Sequence, residues 1–484
     1  MRFLSTVSLL LLFSTTSYSQ NAFEVLFQNS QDDRVLDIVE DVPGVFYAVG
    51  YSGYNNQPAS YKGLIYKLRS AADTFSQRIV FSDTVTRLFK ICKVQDHQFL
   101  LFGSISYPPS YEERLLIMKI DSNINMIWKK DYTLFNYDHI FRLDFIQSPG
   151  EDIWLYGNMG MIVNGQYDFV LVKINTNGDT LKSGRYTPWN PTPWCGAFNH
   201  DSSKLWFFGQ GFDYNNIGQR AEFDTNFNLQ RIDWIPTIVY GNMNARWFSD
   251  SSLLFIGKYY RNSTLQDDDV GISFIDTLLN TPDIHFFGAT DTCDNPGAER
   301  CMDLRVNNRI FYVGVHNVIF DFFPEGPSWI MTGLLNQELI PTYERYYGGD
   351  AYYVPSSILA TQDNGSIIAA TRYDYKTQNY EHDVIFLKLN EDGVITSNNS
   401  GFESFFSDFL VYPNPGENSL KIKTTHQHFS FSLYSFTGEH VLKKEITNEH
   451  VTFMTNNLQP GIYVYEIIDE NNKIHRGKWI KKQF

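Results

Sequence analysis

Phe46-Tyr47-Ala48-Val49-Gly50 is the first member of a series. FYAVG (46–50) is followed by FLLFG (99–103), IWLYG (153–157), LWFFG (205–209), LLFIG (253–257) and IFYVG (310–314), and then by SIIAA (366–370), where Ala370 replaces the glycine. The copies begin 53, 54, 52, 48, 57 and 56 residues apart, a regularity that marks an internal repeat. Each copy is an apolar run rich in β-branched and aromatic residues and bounded by turn formers, as strands are. A second run follows at similar distance: LIYKL (64–68), LIMKI (116–120), VLVKI (170–174), RAEFD (220–224), ISFID (272–276), WIMTGL (329–334) and IFLKL (385–389). Lys67, Lys119, Lys173 and Lys388 share one place in it. A polar turn comes next, such as Asn175-Thr176-Asn177-Gly178-Asp179 or Asn390-Glu391-Asp392-Gly393, and then a further short strand. One more strand precedes each glycine-ended run, as in LFKICKV (88–94) or IFRLDFI (140–146).

Four strands per unit of roughly 53 residues, seven times over, predict an all-β chain whose residues 20–396 form a seven-bladed β-propeller. One blade cannot bury both its faces, packing on its neighbours does so, and ring closure protects the ends. Large flat side chains fill the wedge between splayed blades, which accounts for an aromatic content of 16%. The last unit is short of a fourth strand around Gly393 to Thr396, and AFEVLFQ (22–28) resembles the outer strand of the other units. The N-terminal strand is therefore expected to complete the seventh blade.

At 484 residues, 43% hydrophobic and 19% charged, the chain is globular and too long for one ordinary domain. Its net charge of −15 argues against sequence-independent nucleic-acid binding, which needs Lys and Arg to neutralise phosphates. The region from Leu410 carries nine Lys/Arg against seven Asp/Glu, leaving −17 for the rest. Arg2, the apolar run Phe3 to Phe13, and Ser17-Tyr18-Ser19 read as a secretory signal peptide over residues 1–19, cleaved between Ser19 and Gln20. The run is too short to span a bilayer, and no later segment is long and apolar enough to be transmembrane. Cys92, Cys195, Cys293 and Cys301 are too few for a disulfide framework; Cys293 and Cys301 either close a short loop or stay reduced.

With strands named A to D from the axis outward, the A–B and C–D connections lie on one face and the B–C and D–A connections on the other. The first set is short and polar. The second is long and aromatic, including Tyr54 to Tyr61, Tyr107 to Tyr111, Tyr186 to Trp194 and Tyr343 to Tyr353. Long loops on one rim of a rigid scaffold are the usual seat of function. Tyr107, Tyr111, Trp189, Trp194, Tyr346 and Tyr347 are the candidate ligand-binding residues, offering flat apolar area with a polar handle.

Catalytic signatures are missing: there is no HExxH, no GxSxG elbow and no P-loop. Ser52 in Gly50-Tyr51-Ser52-Gly53 falls one residue short of an elbow. Asp267-Asp268-Asp269 lacks the alternating oxygen ligands of a calcium loop and reads as a solvated loop. Asp168, Asp269 and Asp383 recur just before strand C, which suggests a structural cap. His426 and His428 share a strand face without a third ligand, and no metal or cofactor is indicated.

After a polar linker (397–408), the pattern changes at Phe409 to short strands with tight turns through residue 484. Its landmarks are Tyr412-Pro413-Asn414-Pro415, then Thr437-Gly438, then Leu458 with Pro460-Gly461-Ile462-Tyr463, and the terminal Lys478, Lys481 and Lys482. In order and spacing this stretch resembles the type A C-terminal sorting domain of the type IX secretion system of Bacteroidetes. Ser435 departs from the pattern, since an Asp is common before the turn. The resemblance implies a small immunoglobulin-like β-sandwich recognised by an outer-membrane translocon and cut off by a sorting protease as the cargo is surface-attached or released. Strands of this length after a proline-bounded entry suit such a sandwich.

The whole then reads as a protein that passes through the periplasm to be secreted or held at the outer-membrane surface. It is expected to bind glycan or protein ligands through its aromatic loop face rather than to be an enzyme. The alternatives are a hydrolase or lyase acting on polysaccharide, which would need paired carboxylates on that face, and a structural surface component.

Overall fold

The computed structural model describes residues 22–395 and 409–481, apart from 29, 55–56, 70–75, 82–83, 96, 109–111, 135–138, 148–151, 162–165, 188–190, 213–217, 236–238, 263–266, 280–283, 290–291, 306–308, 322, 378–379, 413–417, 425–427, 436–437, 449 and 471–473. The chain forms two compact units, the second of which contains the described residues 409–481.

Strand β1 (Phe23–Phe27) precedes the first blade. The first blade is β2–β5 (Asp32–Glu40, Val45–Tyr54, Gln57–Arg69, Ser76–Val80) and the second is β6–β9 (Val85–Gln95, Gln98–Ser106, Arg114–Asp121, Met126–Tyr132). The third is β10–β13 (His139–Gln147, Ile153–Met161, Gln166–Ile174, Thr180–Tyr186), and the fourth β14–β17 (Thr192–Phe198, Lys204–Gln210, Gln219–Asp224, Leu229–Trp234). The fifth is β18–β21 (Val239–Ser249, Ser252–Asn262, Asp267–Asp276, Ile284–Phe287). In the sixth the inner strand is split into β22 (Asn295–Pro296) and β23 (Met302–Arg305), followed by β24 (Arg309–His316), β25 (Trp329–Leu335) and β26 (Pro341–Gly348). The seventh contains β27 (Tyr352–Ala360), β28 (Ser366–Tyr373) and β29 (His382–Leu389), and β1 is its fourth strand, with Phe23 opposite Lys388 and Phe27 opposite Val384. Each inner strand touches the next, and β27 touches β2, so the ring closes. This is the expected seven-bladed β-propeller, closed by the N-terminal strand.

The glycine of the repeated motif has a steric cause. A Cβ on Gly50, Gly103 or Gly157 would lie 1.8, 2.1 or 2.0 Å from the carbonyl oxygen of Arg34, Arg87 or Arg142 on the adjoining inner strand. Most of the inner strands carry a register shift close to this crossing, as between Val35 and Asp37 or between Leu88 and Lys90. Such a bulge carries the strand backbone over its neighbour and leaves no room for a side chain.

The C–D turns repeat a second device. Asp121 Oδ1 accepts the N–H groups of Asn123 and Asn125, both at 2.8 Å. Asn175, Asp224, Asn336 and Asn390 each do the same for the residues two and four places on. The side chain thereby replaces backbone partners at the bend. The residue three places on is left-handed in each, at φ 62° for Ile124, 78° for Gly178, 66° for Phe227, 59° for Leu339 and 72° for Gly393. Asp276 and Leu279 (φ 67°) repeat the arrangement in the fifth blade.

In the second unit β30 (Phe409–Tyr412), β31 (Ser419–Thr424) and β34 (His450–Met454) form one sheet. The other holds β33 (His440–Ile446), β32 (Phe429–Ser435), β35 (Gly461–Asp469) and β36 (Ile474–Lys481), in that order. Between them lies one apolar core containing Leu420, Phe431, Leu433, Ile467 and Trp479, the small β-sandwich that was expected.

Candidate functional site

Catalytic carboxylates of a propeller would converge at its axis. Asp37, Lys90, Asp144, Cys195, Asn244 and Ser357 each pair with the residue just before the motif glycine, or before Ala370, of the neighbouring strand. Cys301 holds the same place in the sixth blade, where its carbonyl accepts the Val313 N–H at 2.9 Å. Residues 298–300, between β22 and β23, leave the blade and bond to β27, with Ala298 N on Pro355 O and Glu299 N on Ser356 O. That excursion brings Glu299 within 2.9 Å of Lys90 and 3.6 Å of Arg142, while Arg300 lies 3.1 Å from Asp37. Lys90 also lies 3.5 Å from Asp144. Burial alone would lower the Lys90 ammonium, but Asp144, Glu299 and Asp37 outweigh it and raise its pKa. Burial would likewise raise Asp144, and Lys90 with Arg142 hold it below the usual carboxylate range. For Asp37 burial prevails over Arg300 and Lys90, and its carboxyl is raised. The axial carboxylates are thus committed to a cross-blade ionic network.

The face formed by the B–C and D–A connections is different in kind. Tyr51 and Tyr61 meet at a tilt, 5.0 Å apart, in the first blade, near Tyr54, which is 51% exposed. In the third, Phe141 lies between His139 (4.2 Å) and Tyr167 (3.9 Å). In the fifth, Tyr259 and Phe286 meet at 4.2 Å. In the sixth and seventh, Phe323 gathers Tyr373, Tyr380 and His382 at 5.1, 5.1 and 5.4 Å. Carboxylate–histidine pairs sit beneath this rim: His382 on Asp32 and His316 on Asp294, at 2.7 and 2.8 Å. Glu113 joins Arg87 and His139 at 2.7 and 3.2 Å. Burial would raise Glu113, but His139 and Arg87 pull it below its ordinary value.

Of the six aromatic residues singled out from sequence, Tyr107 lies on this face, its hydroxyl donating to Asp131 at 2.9 Å and its ring under Arg114. Tyr111 and Trp189 lie outside the described residues. Trp194 is a core residue, 5% exposed, at the bulge of β14 among Cys195, Trp206 and Phe208. Tyr346 and Tyr347 are buried in strand β26, and Tyr343, Tyr352 and Tyr353 are buried too. The stretch Tyr343 to Tyr353 is therefore two strands with a short link, not a long aromatic loop. Dense tyrosine reads alike in a rim loop and in a strand buried on both sides. Phe141, Tyr167, Phe323 and Tyr380 were missed, because their partners come from other strands or blades.

Other motifs resolve structurally. Ser52 is buried and donates to Gln31 Oε1 at 2.7 Å, and a carboxamide cannot serve as a base. Asp268 and Asp269 belong to strand β20 and are buried, which corrects the expectation of a solvated loop; Lys258 pairs with Asp268. Asp168 faces Arg185 across strands and Asp383 faces Arg372, so both take part in ion pairs. All four cysteines are free thiols, Cys293 donating to Asp268 at 3.2 Å. An apolar cavity of about 210 Å³ lined by Ile65, Val80, Phe81, Met118 and Ile124 is a packing gap between the first two blades. No helix among the described residues is long and apolar enough to cross a membrane.

In the second unit Gly438 has φ 87° and donates to Ser435 O at 2.9 Å. The Ser435 hydroxyl accepts the Glu439 N–H at 3.1 Å, supplying the oxygen that an Asp would provide. Pro460 is exposed, Gly461 opens β35 opposite Lys481, and Lys481 is buried. Tyr463 is buried against Trp479 at 5.8 Å and donates to Gln459 O at 2.7 Å. Pro413, Asn414, Pro415, Lys482 and His426 lie outside the described residues, as do Ser19 and Gln20. Tyr412 and Lys478 are strand residues of β30 and β36.

The chain is thus an all-β propeller protein with an appended β-sandwich. Residues 410–482 match the secretion system C-terminal sorting domain. This tail belongs to the type IX secretion system; it implies interaction with that machinery and export to the cell surface or extracellular space. No curated protein matches the chain. Among solved structures, it is similar to the β-propeller domain of the Trilobed protease from Pyrococcus furiosus, at 7% identity and a TM-score of 0.42, covering 76% of this chain and 98% of that one. The acylaminoacyl peptidase of Pyrococcus horikoshii is 9% identical with a TM-score of 0.41, over 82% of this chain and 59% of the peptidase. The AfRom2 CNH domain is 9% identical with a TM-score of 0.40, over 75% of this chain and 98% of that one.

Proposed function

We propose that the propeller is a ligand-binding cargo, taking glycan or protein ligands on the face formed by its B–C and D–A connections. One observation carries this reading: paired aromatic rings recur along that face, with Tyr54 and Phe141 51% and 37% exposed. Rings held by one another lose little side-chain entropy on binding, which suits them as anchors. Tyr107 belongs to the same surface. The engagement of Asp37, Asp144 and Glu299 by Lys90, Arg142 and Arg300 favours binding over carboxylate catalysis at the axis.

Residues 1–19 serve as the signal peptide, cut between Ser19 and Gln20, and carry the chain to the periplasm. Residues 20–396 are the cargo, 397–408 a linker and 409–484 the sorting domain of a Bacteroidetes protein. Tyr412, Pro413, Asn414, Pro415, Gly438, Pro460, Gly461, Tyr463 and the terminal lysines Lys478, Lys481 and Lys482 carry the sorting motif to which the translocon and sorting protease respond. After cleavage the propeller is released or attached to the outer surface. The test of the face is a glycan and protein-ligand array probed with the purified chain beside Tyr54→Ala and Phe141→Ala. Binding that the two substitutions weaken supports the face, and binding indifferent to both sinks it.

A further inference from the structure

The B–C connections of the sixth and seventh blades meet at one aromatic cluster. Phe323 lies 5.1 Å from Tyr373 and from Tyr380, and it stacks on His382 at 5.4 Å. Tyr373 is buried and forms the floor, whereas Tyr380 is 54% exposed and Phe320, on the same loop as Phe323, is 72% exposed. The backbone makes that exposure expensive. Tyr380 has φ 56°, a left-handed conformation that bulky residues avoid. Leu279 and Leu339 adopt it too, but they are 4% and 2% exposed, so burial offsets their strain. Tyr380, 54% exposed, has less burial to offset it.

The rim of the cluster is acidic. Burial first, then Tyr380 and the carboxylates of Asp374, Glu325 and Asp321, push the Tyr373 phenol above its ordinary value. The nearby cation Arg372 is taken up by Asp350, Asp383 and Asp374 at 3.2, 3.8 and 3.9 Å. Lys376 sits over its own neighbour Tyr375, 5.5 Å from the ring. A lysine of this face already uses one of these rings, with Lys258 Nζ 5.0 Å from Phe320. Aromatic faces attract ammonium and guanidinium groups, the more so where carboxylates add negative potential. A neutral sugar could bond its hydroxyls to the carboxylates but carries no charge for their potential to attract.

On the reading of this face as a binding surface, we infer that the Phe323–Tyr380 cluster is a receptor for a basic side chain, and that the partner is a lysine-rich polypeptide. The experiment titrates the full-length chain with hexalysine by calorimetry, beside hexaglutamate and a neutral oligosaccharide, at low and at physiological salt. Hexalysine should bind more weakly as salt rises, and hexaglutamate should not bind. Tyr380→Leu keeps every carboxylate and should weaken hexalysine at least tenfold; Glu325→Gln, on an exposed loop, should weaken it severalfold. Hexalysine binding that Tyr380→Leu leaves unchanged would mean attraction by net charge alone and overturns the inference. A chain that ignores hexalysine but binds the neutral oligosaccharide in a Tyr380-dependent way keeps the face and overturns the cation assignment. A chain that binds neither overturns both.

Discussion

A lysine removed from water costs several kcal/mol unless good partners compensate it. Lys90 is 2% exposed, and its compensation comes from two other blades, Asp144 on β10 and Glu299 in the excursion of the sixth. The single substitution Lys90→Met should therefore destabilise the propeller by about 3–5 kcal/mol, because it strands carboxylates in a dry site. Urea unfolding followed by tryptophan fluorescence measures this. Adding Glu299→Gln should restore part of the loss, whereas an additive double mutant would mean that the two groups do not share a network.

Among the elements, the C–D turns interlock with the blade before them. Gly178 leaves room for Trp128 of β9, whose ring would lie 2.5 Å from an added Cβ, and Gly393 does so for Tyr343 of β26. Where the turn residue is Phe227, the small partner is instead Gly184 of β13. Gly178→Leu should lower stability by about 1–3 kcal/mol through overpacking, and adding Trp128→Ala should recover some of it in a thermal melt. The closing strand carries its own titration. Burial, then Asp350, push Glu24 on β1 up to about 7. Its contribution is complete below the carboxyl's ordinary value of 4.5 and is lost as pH rises through about 7. At the far end of β29, burial would raise Asp32, but His382 and Arg34 depress it, so that pair weakens only as pH falls below the normal carboxylate range. The seam is thus tightest in mild acid. Amide exchange of β1, corrected for intrinsic rates, should be slower at pH 5 than at pH 8. Glu24→Gln should abolish the difference, worth on the order of 1 kcal/mol after solvent screening.

For the whole molecule, closure matters more than any blade. The seventh blade takes its fourth strand from residues 23–27, and the sorting domain begins only after the propeller's last strand ends at Leu389. Deleting residues 410–484 should leave β1 paired with β29 and the propeller folded. The same deletion removes the matched sorting segment, so the truncated chain should stay inside the cell envelope. Cell fractionation with circular dichroism of the retained protein tests both halves. Normal surface delivery of the truncated chain would refute the sorting role.

Local sequence carried the architecture. The motif glycines reflect a backbone crossing one strand away, and the Asx turns are closed by side chains within five residues, so both leave a periodic trace. The sorting tail was legible for the same reason, its turn at Gly438 and its Pro460-Gly461 entry being short-range features. The candidate site was only partly legible. Trp194 and the tyrosines of 343–353 look like rim aromatics in sequence, yet strand pairing buries them. Phe141, Tyr167, Phe323 and Tyr380 face one another only because separate strands and loops are brought together by the ring. Glu299 reaching Lys90 across the axis, 209 residues away, belongs to the same class. The closing strand could be read from residues 22–28, but burial and cross-blade proximity depend on which side chains the closed ring brings together, and those meetings, unlike a turn or a crossing, leave no local mark in the chain.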